Sequence, residues 1–110
     1  MTDLDKLHDV FLHNFVVDKQ CGKTYATCFE LLGAVELGDE NIYYLTNFYG
    51  SMNYVIQMFL DIILESGYSF KQISRDTFRV LHSKIRFITK DNAENILRGL
   101  DNYTIVEMEI

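Results

Sequence analysis

The sequence predicts an α/β domain, a sheet flanked by helices with a β-hairpin in its second half. Short runs of β-branched and aromatic residues alternate along the chain with longer stretches in which apolar residues recur at helical spacing. Glycines at 38, 67 and 99 close the helical stretches. Strands that alternate with helices, followed by a hairpin and a returning strand, place helices over a sheet. A chain of 110 residues buries one modest core, 48% of it is hydrophobic and no long polar tract interrupts it, so residues 1–110 are expected to form a single domain.

Leu4, Leu7, Val10 and Phe11 have amphipathic spacing, so Thr2 to His13 is expected to be a helix capped by Thr2 or Asp3. Asn14 to Asp18, centred on Phe15-Val16-Val17, suits a short buried strand, and Lys19 to Thr24 a loop. Ala26, Phe29, Leu32, Ala34 and Val35 mark a helix from Lys23 to about Leu37, which Gly38 ends, and Asp39 to Asn41 make a turn. Ile42 to Thr46 reads as the second strand and Asn47 to Gly50 as a loop, with Ser51 capping a helix to about Glu65. Apolar residues cover much of that helix's circumference, which implies deep burial. Tyr68 to Asp76 is expected to be a loop or a short helical turn. Thr77 to Leu81 and Lys84 to Thr89 alternate with period two around His82-Ser83, the pattern of a hairpin. Asp91 or Asn92 can cap a short helix to Leu97, and Tyr103 to Ile110 reads as the last strand.

The net charge of -6 argues against a dedicated nucleic-acid binder, so nucleic acid is a possible partner but not the favoured one. Lys71, Arg75, Arg79, Lys84, Arg86 and Lys90 form a scatter able to line one face, which is ordinarily a solvated one. The longest apolar segment, Tyr54 to Leu64, is broken by Gln57 and Asp61 and is far shorter than a membrane span, and no signal-peptide pattern opens the chain. A cytoplasmic protein with no membrane partner is expected. Cys21 and Cys28 match no zinc spacing, and His8, His13 and His82 form no metal face, so no zinc or other such metal is expected. Strand and helix packing accounts for Tyr43, Tyr44, Phe48, Tyr49 and Tyr54 better than a base-stacking platform does.

One stretch carries recognisable chemistry. Gly22-Lys23-Thr24 falls where the first strand is expected to turn into a helix. There backbone N–H groups face an anion, glycine permits close approach, lysine supplies a point charge and a hydroxyl can join a Mg²⁺ shell. Only the second half of the pattern G-x-x-x-x-G-K-[ST] is present, because Val17 stands at the first glycine. In α/β sheets ligands bind at the carboxyl ends of the parallel strands, where this stretch would emerge.

From Asn14 onward the chain resembles the ATPase domain of the large terminases of tailed phages, the DNA-packaging motors. The resemblance rests on Lys19-Gln20-Cys21-Gly22-Lys23-Thr24, on Asn47 to Met52, on Phe87 to Leu100 with its Arg98-Gly99 pair, and on Thr104 to Glu109. That family has a deviant Walker A lacking the first glycine, usually with arginine where Lys19 stands. The resemblance implies a P-loop NTPase-like sheet in which Lys19, Gln20, Gly22, Lys23 and Thr24 hold Mg-ATP, Thr24 reaching Mg²⁺ beside the nucleotide, with Arg98 as a further functional residue. The family's Walker B strand ends in Asp-Glu, whereas this one reads Ile105-Val106-Glu107-Met108-Glu109. Either Glu109 is the catalytic carboxylate and Met108 replaces the metal aspartate, or Glu107 is the metal ligand and Met108 replaces the catalytic glutamate. Loss of one carboxylate should spare binding more than turnover.

The chain ends there, so a domain truncated relative to a full terminase ATPase is expected. The leading reading is a small terminase-like module that binds Mg-ATP, degenerate in hydrolysis and accessory to or mimicking a packaging motor in the cytoplasm of a phage host. One alternative is a former ATPase fold used as a protein-interaction or inhibitor domain that binds no nucleotide; another is an ATPase fragment active only in an assembly. An exposed sheet edge is expected to engage a protein partner or a second copy.

Overall fold

The computed structural model describes residues Lys19 to Met108. They form α1 (Lys19–Glu36), β1 (Asn41–Thr46), α2 (Tyr49–Glu65), β2 (Phe70–Ser74), β3 (Thr77–Val80), β4 (Ser83–Thr89), α3 (Lys90–Leu97) and β5 (Thr104–Glu107). The α/β class is as expected. The sheet is mixed, in the order β2-β3-β4-β1-β5, with β1 parallel to both β4 and β5 and with β2, β3 and β4 antiparallel in turn. The helix expected over Thr2 to His13, the strand over Asn14 to Asp18, and Glu109 all lie outside the described residues.

Strand alternation gives the sheet two unlike faces. Ile42, Tyr44, Phe78, Val80, Ile85, Phe87, Val106 and Met108 point to one face and are buried in a single core with Tyr25, Cys28, Leu31 and Val35 of α1 and Met52, Val55, Phe59, Ile62 and Ile63 of α2. Leu45 and Ile88 point to the opposite face and are also buried, next to where the chain leaves β4 directly into α3.

Four local expectations are corrected. Lys19 to Thr24 is not a loop but the opening of α1. Thr24, Thr27, Cys28, Leu31, Leu32 and Val35 form one buried stripe at helical spacing, so the amphipathic pattern runs back into the motif, and a lone Gly22 costs a helix only about 1 kcal/mol. Tyr68 to Asp76 contains β2, an edge strand that is almost wholly exposed; with no buried face it has no alternation to read, and pairing with β3 creates it. The cap of α2 is Phe48, not Ser51, whose hydroxyl donates instead to the Phe48 carbonyl at 2.8 Å. The cap of α3 is Thr89, the last residue of β4, not Asp91 or Asn92.

The hairpin is present, but with Val80 opposite Ser83 its loop is Leu81-His82, one residue earlier than the expected His82-Ser83. Leu81 has φ 55, a left-handed conformation that glycine adopts without strain.

Candidate functional site

The N-terminus of α1, the carboxyl ends of the parallel strands and the second face of the sheet each bring chemistry-bearing residues together. A short connection leads from α1 into β1, so the N-terminus of α1 returns to the end of the sheet where β1 and β5 finish. In a helix the first four N–H groups lack intrahelical acceptors. With α1 starting at Lys19 these include the N–H groups of Lys19, Gln20 and Cys21, while those of Gly22, Lys23 and Thr24 fall within the hydrogen-bonded turns. Lys23 is exposed and Thr24 only 4% exposed. The Tyr44 hydroxyl lies within hydrogen-bonding distance of Thr27 Oγ1, which donates to the Thr24 carbonyl at 2.8 Å. Because the Thr27 proton is committed to that carbonyl, Tyr44 is the donor. Burial pushes Tyr44 well above the ordinary phenol range.

At the carboxyl ends, Lys90 is 3.1 Å from Glu107 Oε1 and donates to the Met108 carbonyl at 3.0 Å. Glu107 and Ile105 point to the second face, whereas Val106 and Met108 are buried on the face that carries α1. Thr24 and Glu107 therefore stand on opposite faces of the sheet. Among the described residues no group of three or more His, Cys, Asp and Glu is placed to hold a metal. Arg98 follows α3 on the surface, 4.0 Å from Glu94. Lys90 was singled out by the sequence as one of the scattered cations; its pairing with the last strand needed the parallel register to be seen.

The second face holds what the sequence showed only as scatter. Cross-strand register aligns Lys71 with Arg79, Arg79 with Lys84, and Lys84 with Asn41, and in another row Thr77 with Arg86 and Arg86 with Tyr43. Lys71, Arg79 and Lys84 are exposed and Arg86 half-buried. None of the four forms an ion pair among the described residues. Of the remaining scattered cations, Arg75 leaves this group to stack over the Tyr49 ring at 5.4 Å. An open hollow of about 300 Å³ is lined by Arg86, Lys84, Tyr43, Asn41, Ser74 and Asp76. The Asp76 carboxylate accepts from Ser74 and Thr77, each at 3.2 Å. Tyr43 meets Tyr103 edge to face, with centroids 5.9 Å apart, and Ile105 beside them is 43% exposed.

Compared with known proteins, the chain matches no family model and no curated sequence. Among the described residues no helix is long and apolar enough to cross a membrane.

Proposed function

We propose that this chain is a binding module whose working surface is the second face of its sheet, an α/β scaffold used for interaction and not for ATP turnover. The observation that carries this reading is the contrast between the faces. One is closed by α1 and α2 over a single core, while the other keeps Lys84, Arg79, Tyr103 and Ile105 exposed. Apolar and aromatic groups left exposed among unpaired charges mark an interaction surface. The pairing of Glu107 with Lys90, and the burial of Met108 where a terminase-like strand would carry a carboxylate, support the non-hydrolytic half of the reading.

A second reading, the Mg-ATP module of terminase type, draws on the position of α1, whose N-terminus brings Lys23 to the carboxyl end of the sheet. Hydrolysis and calorimetric titration with ATP, with and without Mg²⁺, separate the two. The binding-module reading expects no turnover by the wild type. ATP turnover that Lys23→Ala abolishes would contradict it.

A further inference from the structure

We infer that the second face binds single-stranded nucleic acid, phosphates lying along Lys71, Arg79, Lys84 and Arg86 and bases on Tyr43 and Tyr103; this rests on the binding-module reading above and names its ligand. The chain carries 16 acidic residues against 10 lysines and arginines, yet four of those cations share one sheet face in register. Like charges directly opposite one another on adjacent strands destabilise a sheet, and here no carboxylate pairs with them among the described residues. A bound polyanion relieves that repulsion. Strands are about 4.8 Å apart, so the Lys71-Arg79-Lys84 row spans roughly 10 Å, a path along which a nucleic-acid backbone can run.

The tyrosines decide between a nucleic acid and an acidic protein segment. Tyr103 is 37% exposed, and Tyr43, half-buried, stands between Arg86 and Ile105 in the second row. A cationic track ending on aromatic rings is how sheet-based modules hold single strands, since every base presents a ring face for stacking. A duplex fits less well, because reading its major groove takes a helix or ribbon that enters the groove, and the cations here lie on strands within a five-stranded sheet. Asp76 lines the hollow and already accepts two hydroxyl hydrogen bonds, so the phosphate path runs along the Arg79-Lys84 side of the face, away from that carboxylate.

The test is fluorescence anisotropy of a short labelled single-stranded oligonucleotide, as DNA and as RNA, titrated with the full chain over a range of salt concentrations. Each neutralised phosphate contributes about 0.7 to the slope of log affinity against log salt, so four cations predict a slope of about -3. Arg79→Glu with Lys84→Glu is expected to weaken binding by about tenfold or more and to flatten the slope. Tyr103→Ala is expected to weaken it by about tenfold with the slope unchanged. Circular dichroism checks folding, and if the charge reversal does not fold, Lys71→Ala with Arg79→Ala carries the same test. No binding at low salt, affinity unmoved by these variants, or equally tight binding of polyglutamate would overturn the assignment. None of those results bears on ATP turnover, which decides the reading beneath it.

Discussion

Burial of Tyr44 obliges its hydroxyl to find a partner, and Thr27 accepts from it while passing its own proton to the Thr24 carbonyl. Thr27→Val strands a buried tyrosine hydroxyl, a cost of about 1–3 kcal/mol, whereas Tyr44→Phe removes donor and demand together and should cost less; urea unfolding of both variants compares them. Burial likewise raises the Cys28 thiol from its ordinary 9.0, as it raises Tyr44 from 10.0. The folded state therefore keeps protons that the unfolded chain loses, and the stability these groups contribute is full below about pH 9 and falls as pH rises beyond it. Cys28→Ala is predicted to move the start of that alkaline loss up towards pH 10, read as the urea midpoint across pH. On the second face, Lys84→Glu turns a like-charge pair with Arg79 into an opposite-charge one. It should stabilise the fold by about 0.2–1 kcal/mol while weakening oligonucleotide binding.

The elements show what patterning makes legible. The first described helix, β1, the long helix α2 and the hairpin were readable because each buries one face, so the period of burial is written in the sequence. Two features were not. β2 is exposed along nearly its whole length, and an edge strand held by pairing leaves no period to find. The start of α1 was hidden by a motif: Gly22-Lys23-Thr24 suggests a loop by residue type, but the buried stripe through Thr24 and Thr27 continues the helix across it. At the Leu81-His82 loop residue type and conformation disagree, since leucine occupies φ 55. A residue with a Cβ is held there at a cost of about 1–2 kcal/mol. Leu81→Gly should therefore be more stable than Leu81→Ala by about 1 kcal/mol, measured as the difference between their unfolding free energies in urea.

At the scale of the molecule, the sheet separates packing from recognition. Helices α1 and α2 close one face, and the cations and tyrosines that looked scattered along the sequence gather on the other. The sequence allowed the cations to line one face but could not say which of them do, because that depends on the register of β2, β3, β4 and β1, and β2 was not recognisable as a strand. The motif at Lys19 to Thr24 was legible as residues but not as geometry. Hydrogen exchange of the full chain, measured separately with the single-stranded oligonucleotide and with Mg-ATP, tests the account most directly. Slowed exchange in β3, β4, β1 and β5 with the oligonucleotide, and no change around Lys23 with Mg-ATP, is the predicted result. Slowed exchange at the N-terminus of α1 with Mg-ATP, and an unaltered sheet with the oligonucleotide, would contradict it.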